Sequence, residues 1–576
     1  MNNAWRMGAF ALVAVFAASG MLLAAPAPTV FYKTQDSDEW VAKNFVVQAK
    51  YERVIVVGKA EDAPKTISVA AIDLAGRSSP APQEYPVAAV YATMQEAADA
   101  ARGGDLVAVM PGTYAGFAIG DKTDAGDGKY IHFKALGKPG EVTIDRPAEG
   151  KDRNWTVMFQ SAHHAILEGF NIAGATGPGM APAGARAGIF IDGSFGPTGK
   201  MAHHIAIVGN FSHNHRSWGL HSTDSHTVLM QDNCFALSCQ EHSAYVSDGS
   251  DNYCIRRNVF FSSFSSGLQC NLDPDASMEE LLRNDKLAAY GPEQQTKQWA
   301  LGLIKLATEN FGENNFPDGR GLNFIIEDNV IYGNGKNGGG SFNFAALQDS
   351  LIQNNLVYEN YTTGIAEWDN ANSFDTTAVD PGPQAGKDVT GPEALPFFGC
   401  HGNVIRNNTV IMNNPERSGM LLGNGSWGNV IRNNIFLNDE GTTLEAMNTS
   451  IYRLDSGWNV LRTTDYNGMD ESLLALAVNL DEKNRSLMNV TRDMAAAEFV
   501  KFNMEPWVII EGSRWRLNPD RPDFHPKAGS KLFSGWGDES QLPGRDIEGK
   551  ARKHADIGAY AALEAASDAT LRSSAR

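Results

Sequence analysis

Cysteine is scarce in this sequence, with five residues in a chain of 576. Five is an odd number, and the spacings match neither a zinc site nor the framework of a disulfide-rich domain. Cys234 and Cys254 stand at strand positions where neighbouring repeats carry valine or isoleucine. We therefore expect the cysteines to be small buried hydrophobic side chains.

Positive charge is also in short supply. The chain has 48 lysines and arginines against 67 aspartates and glutamates, which gives a formal net charge of −19. Because nucleic-acid binding needs a basic surface, this balance argues against nucleic acid as a partner. A polyanionic substrate would require a local groove lined by basic residues or by a metal ion.

The N-terminus carries a long apolar stretch. Arg6 precedes an apolar run at 7–25 that ends in small residues. This pattern predicts a secretory signal peptide over 1–27, with an uncleaved membrane anchor as the alternative. No cysteine follows the run, which disfavours a lipid anchor. We expect a secreted or periplasmic monomer with no membrane span after signal removal.

Short apolar segments with a shared asparagine recur along the chain. NVIRNNTVI at 403–411 and NVIRNNIFL at 429–437 are the clearest pair. The series has a period of about 25 residues once two insertions, 274–320 and 371–399, are set aside. We expect its asparagines to form a structural hydrogen-bonded ladder between coils, not a catalytic set. They are Asn210, Asn233, Asn258, Asn329, Asn355, Asn408 and Asn434.

Strand-length repeats with no helix between them predict a parallel β-helix. The segment MQEAADAARGGDLVAVMPGTY at 94–114 resembles the first turn of pectin-lyase-like right-handed β-helices, in which an amphipathic helix covers the open end. DFHPKAGSKLF at 523–533 and DIGAYAALE at 556–564 resemble the closing signature of secreted β-helix proteins. The expected fold is all-β: a right-handed single-stranded parallel β-helix with an N-terminal capping helix.

Five regions follow from this interpretation. A signal peptide is predicted at 1–27, a small β-rich segment at 28–88, the β-helix with its two insertions at 89–470, a closing segment at 471–564 and a disordered tail at 565–576. The 274–320 insertion contains helical patterns, and Trp299, Leu303 and Leu306 fall on one helical face.

A second strand with polar alternate positions precedes most asparagine segments. Examples are GIFID (188–192), GLHST (219–223), AYVSD (244–248), GLQCN (267–271) and SFNFA (341–345). Alternation predicts that the third and fifth residues of each point outward. In AYVSD this turns Tyr245 and Ser247 inward and Val246 and Asp248 outward. Both insertions leave just after this strand, so we expect them on one edge, as walls or a lid beside a groove.

The outward polar positions of these strands suggest catalytic residues. His221 is expected between Asp192 and Asp248, which would lie on the order of 10 Å apart, near the separation used by inverting glycosidases. Glu241 and His242 open EHSAYVSDGSDN. Together with GLQCNLDP one coil later, this segment resembles the EHGIYVSNS…GIHMNGD pattern of uncharacterised secreted β-helix proteins. The chain departs from that pattern at Gln269 and Cys270. The resemblance implies a carbohydrate substrate and no particular mechanism.

Three functions remain open. A polysaccharide lyase would use His221 or His242 as base and Arg320, Lys336 or Ca²⁺ to neutralise a uronate carboxylate. A glycoside hydrolase would use Asp192 with Asp248 or Asp273. A non-catalytic sugar-binding or surface-structural solenoid is the third. We rank a carbohydrate-active enzyme first, and a lyase before a hydrolase.

The remaining candidates are substrate contacts and metal ligands. No cofactor is required by the sequence, and Ca²⁺ rests only on clustered carboxylates without an EF-hand or nonapeptide repeat. Its candidate ligands are Asp248, Asp251, Asp273 and Asp275. The candidate polysaccharide contacts are Arg216, Trp218, Gln269, Asn271, Asp273, Asn343 and Trp368. The histidines at 163, 164, 203 and 204 show no metal-ligand spacing, and we expect them to be structural.

Overall fold

The computed structural model describes residues 36–76, 80–176, 181, 183–291, 296–369, 372–374, 396–423, 425–438, 440–446, 454–462, 464–465 and 485–563. The predicted signal peptide, most of the second insertion, residues 471–484 and the predicted tail lie outside these ranges. No helix among the described residues is long and apolar enough to cross a membrane.

Three long sheets form the body of the molecule. Sheet 1 has 14 strands: Thr66–Val69, Gln83–Tyr91, Arg53–Val57, Asp105–Val109, Ile131–Ala135, His163–Glu168, Ala202–Val208, Ser225–Gln231, Asp251–Arg256, Ile325–Glu327, Leu351–Gln353, Val404–Arg406, Val430–Arg432 and Asp455–Gly457. Its first two strands pair antiparallel, and every other pairing in it is parallel.

The other two long sheets have 11 strands each. Sheet 2 contains Gly112–Ala115, Val142–Arg146, Asn171–Ala173, Phe211–His213, Cys234–Ala236, Val259–Phe261, Val330–Tyr332, Leu356–Tyr358, Thr409–Met412, Ile435–Asn438 and Val460–Leu461. Sheet 3 contains Phe117–Ile119, Trp155–Gln160, Ala187–Asp192, Trp218–Thr223, Ala244–Ser247, Leu268–Asn271, Gly340–Ala345, Thr363–Trp368, Met420–Leu422, Leu444–Ala446 and Thr464–Asp465.

Shorter elements decorate these sheets. Three two-stranded pairs join Gly321–Leu322 to Leu347–Gln348, Phe499–Lys501 to Asp523–Pro526, and Val508–Glu511 to Arg514–Leu517. Among the described residues the α-helices are α1 (Ser37–Asn44), α2 (Met94–Ala100), α3 (Phe195–Thr198), α4 (Pro274–Leu282), α5 (Lys297–Phe311) and α6 (Arg492–Glu498). Single 3₁₀ turns lie at Ala288–Tyr290 and Glu539–Gln541.

Each coil visits sheets 1, 2 and 3 in turn and then stacks on the coil before it. One coil runs through His163–Glu168, Asn171–Ala173 and Ala187–Asp192, and each of these strands pairs in parallel with its counterpart in the next coil. The inward residues of all three sheets form one continuous apolar core. The predicted right-handed parallel β-helix is confirmed.

The asparagine ladder is confirmed at the turn between sheets 1 and 2. The backbone N–H of Asn258 donates to Oδ1 of Asn329 at 3.0 Å, and Nδ2 of Asn258 donates to the Met230 carbonyl at 2.8 Å. The same pattern runs from Asn210 to Asn459, one coil beyond the predicted series. These amides satisfy turn backbone groups that would otherwise be buried without partners. The five cysteines are buried and form no disulfide with one another, as expected.

Helix α2 closes the N-terminal end of the core. Thr93 and Glu96 form a reciprocal capping box at its start, and Met94, Ala97 and Ala98 are buried in the main core. Such a plug removes the first coil's apolar interior from water. The helical plug expected from the sequence is present.

The N-terminal segment is continuous with the β-helix. Strand Arg53–Val57 pairs in parallel with Asp105–Val109 and so extends sheet 1. Helix α1 places Trp40 and Val41, followed by Phe45, against the outer face of sheet 1. That face is apolar, with buried side chains Ile166, Ala206, Leu229, Cys254 and Ile325.

The C-terminal segment packs along the outer face of sheet 2. Phe499, Trp507 and Phe524 join an apolar cluster with the outward residues of that sheet, and the Ser513 hydroxyl reaches the Gly140 carbonyl at 2.8 Å. Its resemblance to closing signatures suggested an end cap, whereas this part runs lengthwise over the coils. The reason is the apolar outer face of sheet 2, with residues such as Phe261, Tyr332, Tyr358 and Leu437, which has to be covered.

The two insertions pack on each other at the carboxyl ends of sheet 3. Helices α4 and α5 share an apolar cluster with Phe374 and Phe398 of the second insertion, and Asp275 accepts a hydrogen bond from the Ser373 backbone at 3.1 Å. The one-faced helix predicted around Trp299 and Leu303 is α5. The expectation that both insertions project from one edge holds for their described residues.

Candidate active site

The outer face of sheet 3 is the face that neither terminal segment covers in the described part of the chain. Five successive coils line an open groove of about 560 Å³ near the amino ends of its strands. Its walls are Arg186, Trp218, Glu241, His242, Tyr245, Ser265, Gln269, Asn271, Gly339 and Asn343. We call this set the amino-end groove.

Strand register decides which side chains face the groove. Phe190, His221, Tyr245, Gln269 and Asn343 occupy one row across five coils. The outward positions predicted for the other four strands agree with this row.

The orientation predicted for AYVSD was wrong. Ala244 pairs with Leu220, so Ala244 and Val246 enter the core, while Tyr245 points outward. From Ala244 onward the strand alternates apolar with polar residues, and this alternation could have indicated the correct orientation. As a consequence Asp248 lies past the strand end and does not share a row with Asp192, because the row of Asp192 continues through Thr223 and Ser247.

His221 belongs to a stack of rings on this face. Ring centroids are 3.9 Å apart between Trp155 and Phe190, 5.1 Å between Phe190 and His221, and 4.9 Å between His221 and Tyr245. Nε2 of His221 lies 3.2 Å from the Ser247 hydroxyl. Its Nδ1 is buried with no hydrogen-bond partner among the described residues. His221 is not among the groove-lining residues.

The electrostatics of His221 match this packing. Burial, with the positive charge of Arg186 added, lowers the pKa of His221 to about 3. The ring is therefore neutral at ordinary pH, and its neighbours on both sides are aromatic.

His242 lines the groove in a defined tautomer. The backbone N–H of Ser266 donates to Nδ1 of His242 at 3.1 Å, so the neutral ring carries its proton on Nε2. Nε2 lies 3.7 Å from Oε2 of Glu241. Burial lowers the pKa of His242 to about 3, which keeps the ring neutral. His242 can donate a hydrogen bond into the groove, but its acceptor nitrogen is already occupied.

Glu241 and Arg186 supply opposite charges to the same groove. The side chain of Glu241 is 44% exposed. Partial burial raises the pKa of Glu241, and the Arg186 charge opposes that rise. The guanidinium carbon of Arg186 lies 4.5 Å above the Trp218 ring. No ion pair holds Arg186 within the described residues, so its charge is available to a ligand.

Tyr245 completes the centre of the groove. Its ring lies edge-on to His242 with 5.3 Å between centroids. Burial is the main reason that its pKa rises to about 12, while a hydrogen bond donated by Asn271 at 3.4 Å acts in the opposite direction. The phenol therefore keeps its proton at neutral pH.

Amide side chains continue the groove into the next coils. Nδ2 of Asn343 donates to Oε1 of Gln269 at 2.6 Å, and the Trp368 indole donates to Oδ1 of Asn343 at 2.8 Å. The Ser266 hydroxyl also donates to Gln269. This chain of hydrogen bonds fixes the groove-facing amides without placing a charge among them.

The predicted cations lie outside the groove lining. Arg320 pairs with Asp318, with Nε 3.0 Å from Oδ2, and its guanidinium stacks at 4.7 Å on Phe397. Lys336 is exposed in a turn, 5.1 Å from the Tyr361 ring. Arg216 lies in the turn before Trp218 but does not line the groove. Arg186, which sequence reasoning missed, precedes its strand at a comparable turn position.

A second group of ionisable residues lies at the carboxyl ends of the sheet 3 strands. We call Asp192, Asp224, Asp248 and Glu280 the carboxylate cluster. Glu280 comes from helix α4 and accepts the Gly196 backbone N–H at 2.5 Å. The insertion therefore lies against this end of sheet 3.

Three carboxylates of this cluster have a raised pKa. Burial is the first cause of the raised pKa of Asp192, Asp224 and Asp248, and the charge of Glu280 adds to it in each case. Asp248 accepts hydrogen bonds from the Thr223 and Ser247 hydroxyls. Asp224 was not predicted; it is the first residue after the strand Trp218–Thr223, whose polar positions had been identified.

The proposed calcium ligands do not come together as a calcium site. Asp251 accepts the Leu322 backbone N–H at 2.7 Å, Asp273 caps helix α4, and Asp275 binds the backbone of Ser373. Among the described residues, these carboxylates form no group of three with oxygens within 4.8 Å of one another. Ca²⁺ needs six to eight oxygen ligands in one shell, which this arrangement does not provide.

Comparisons with known proteins find similarity of structure and not of sequence. No protein-family model and no curated protein matches the chain. The pectate lyase Pel9A structure is 12% identical, covers 89% of this chain and 97% of its own, and gives a TM-score of 0.45.

Two further solved structures are named as a mannuronan C-5 epimerase and an alginate lyase. The mannuronan C-5 epimerase AlgE4 A-module of Azotobacter vinelandii is 15% identical over 64% of this chain and 88% of its own, with a TM-score of 0.32. An alginate lyase of Paenibacillus sp. str. FPU-7 is 11% identical over 69% of this chain and 96% of its own, with a TM-score of 0.28. Identities and scores this low assign no activity.

Proposed function

We propose that this chain is an exported carbohydrate-active enzyme that binds a polysaccharide in the amino-end groove and cleaves it by β-elimination at a uronic acid. The observation that carries the proposal is that one groove of a strongly acidic protein holds both the Arg186 guanidinium, which makes no ion pair among the described residues, and Glu241, a carboxyl of raised pKa. The groove spans five coils, which suits an extended chain better than a small metabolite.

Arg186 has the properties needed to neutralise a uronate. It is exposed, held by stacking on Trp218, and makes no ion pair within the described residues. A guanidinium matches a carboxylate through two parallel hydrogen bonds. Neutralising the uronate carboxylate would make the proton on C5 more acidic and stabilise the charge that develops when it leaves.

Glu241 is the proposed base. A carboxyl whose pKa is raised by partial burial is a stronger base than an exposed one, and its pKa moves toward the operating pH. His242 carries its proton on Nε2, which lies 3.7 Å from Oε2 of Glu241, and so places a donor near the carboxylate without a direct hydrogen bond. This assignment replaces the two histidines expected from the sequence, because His221 is packed inside the ring stack and His242 accepts a backbone hydrogen bond.

Tyr245 is the proposed acid. Glu241 takes the C5 proton, the C5–H electrons form the C4=C5 double bond, and the bond between C4 and the glycosidic oxygen breaks. The departing oxygen takes the phenolic proton of Tyr245, which remains protonated because its pKa is raised to about 12. The products are an unsaturated uronate end and a new reducing end.

A glycoside hydrolase remains the second candidate. The raised pKa of Asp192 and Asp248 would supply the protonated carboxyl that glycosidases use as general acid. Helix α4 lies over these carboxylates, so substrate would require movement of the insertion. A sugar-binding solenoid without activity is the third outcome of the experiment below.

The deciding experiment follows ultraviolet absorbance of the unsaturated uronate while the purified protein meets a panel of uronate-containing polysaccharides, alongside a reducing-end assay. Elimination lost in Glu241→Gln and kept in Arg216→Ala supports the proposal. New reducing ends without absorbance, lost in Asp192→Asn, would establish hydrolysis instead. Binding without either product would leave a non-catalytic role.

A further inference from the structure

Four histidines form a compact array on sheet 1, far along the coil from the groove residues. His163 and His164 open one sheet 1 strand, and His203 and His204 occupy the matching positions in the next coil. His226 continues the row one coil later. Sequence reasoning assigned the first four a structural role.

The rings of this array stack in two columns. His163 and His203 are parallel with centroids 5.0 Å apart, and His164 and His204 are parallel at 4.5 Å. Within each coil the two Nδ1 atoms face each other, at 3.0 Å between His163 and His164 and at 2.8 Å between His203 and His204. Left-handed backbone at His164 and His204 turns the second ring of each doublet toward the first.

Carboxylates lie behind the outer nitrogens of the first doublet. Nε2 of His163 is 3.0 Å from Oδ1 of Asp121, and Nε2 of His164 is 3.5 Å from Oδ1 of Asp127. The hydrogen bond to Asp121 favours the proton on Nε2 of His163 and leaves its Nδ1 lone pair free, while Asp127 makes a longer charge contact with His164. Such carboxylate partners are the usual second shell of metal-binding histidines.

The array is partly enclosed by aromatic side chains. Phe45 packs near His204, and the Tyr130 ring lies edge-on to His164 at 4.9 Å. Burial is the main cause that lowers the pKa of His164 to about 4 and of His203 and His204 to about 3. The hydroxyl of the fully buried Tyr130 has no hydrogen-bond partner among the described residues.

We propose that His164, His203 and His204 bind one divalent transition-metal ion of the zinc class through their ring nitrogens. One nitrogen from each lies within 4.8 Å of the other two. Imidazole nitrogens bind Zn²⁺ at about 2.0–2.1 Å in tetrahedral sites, which puts neighbouring ligands roughly 3.3 Å apart. The two Nδ1 atoms of His203 and His204, 2.8 Å apart, are slightly closer than that, and His164 of the preceding coil supplies the third nitrogen within 4.8 Å. The ion would join two successive coils.

The test is a titration of untagged full-length protein with ZnCl₂ by isothermal calorimetry. We expect one Zn²⁺ per chain, loss of that binding in His203→Gln/His204→Gln, and binding about tenfold weaker in Asp127→Asn. His226→Gln is the matched control, because His226 stacks on His203 at 5.0 Å but is not one of the three ligands. X-ray absorption at the zinc edge should count at least three imidazole ligands.

Two outcomes would overturn the proposal. One is the absence of Zn²⁺ binding by the wild-type chain; the other is equal binding by the double variant, with circular dichroism showing that it is folded. If the double variant does not fold, His164→Gln serves in its place, since that ring lies in the other coil. A stack of neutral rings with no metal would give the first outcome.

Discussion

The two ends of sheet 3 carry similar chemical groups in different surroundings. At the amino ends, Glu241 is partly exposed and faces the Arg186 charge. At the carboxyl ends, Asp224 and Asp248 are more deeply buried under an insertion and face other carboxylates. Burial raises the pKa of all three. A raised pKa alone therefore does not identify the reactive group. The two ends differ in how accessible the carboxyl is to substrate and in whether a cation lies beside it.

The largest expected effect comes from Glu241→Gln. The change keeps the shape of the side chain and removes the proposed base, so we expect kcat to fall by about 10²–10⁴. The steady-state rate of unsaturated-product formation measures it. Asp248→Asn is the matched control at the other end of the same sheet and should stay within a few fold of wild type. A large loss in Asp248→Asn with little change in Glu241→Gln would instead assign the reaction to the carboxylate cluster.

Arg186→Ala should have the next largest effect, a loss of roughly 10²–10³ in kcat/KM, because the uronate charge is no longer neutralised. Arg186→Lys should recover part of it, since charge returns without the two-pronged geometry. The same assay on Arg216→Ala, which changes a neighbouring turn outside the groove, should show near wild-type rates. Full activity in Arg186→Ala would refute the proposed neutraliser.

The carboxylate cluster predicts a pH-dependent effect on stability. The folded-state pKa of Asp224 is raised above the unfolded value, so its favourable contribution is complete below about pH 4 and is lost as pH rises through the folded pKa. Asp224→Asn should therefore change the free energy of unfolding more favourably at pH 8 than at pH 4, by roughly 1 kcal/mol. Urea unfolding at both pH values measures this. An equal effect at the two would show that Asp224 carries no charge penalty.

The smallest effect on catalysis is expected for His221→Phe. Phenylalanine keeps the ring between Phe190 and Tyr245, so activity should remain within about threefold of wild type if His221 is a packing residue. His221→Ala, which removes the ring, should cost roughly 3 kcal/mol of stability by the same denaturation measurement. An inactive but folded His221→Phe would restore His221 as a catalytic base.

Much of the fold could be predicted because its signals are local and repeated. The asparagine at one position in every coil hydrogen-bonds its own neighbourhood and the next coil, so spacing along the chain translates directly into stacking. The α2 plug and helix α5 likewise follow from short patterns. The two insertions project from the same edge because each interrupts the repeat at the same point, directly after the sheet 3 strand of its coil.

The candidate site was harder to predict because it depends on register and on which faces are covered. One residue of misalignment in AYVSD reversed Tyr245 and Val246, and so removed Tyr245 from the expected groove. Arg320 looked available in the sequence, yet a neighbouring aspartate and Phe397 hold it. No local pattern distinguishes such a paired cation from the exposed Arg186.

The sequence by itself determined the coil period, the asparagine ladder and the plugged first coil, since each depends on contacts at a constant separation along the chain. Tertiary structure alone decided that the terminal segments cover sheets 1 and 2, which leaves sheet 3 open. It also decided that Glu241 and Arg186 share a groove and that four histidines from two coils form one array. These residues come together through packing between segments that are far apart in sequence. The free energy of burial selects such contacts, and the spacing of motifs along the chain does not.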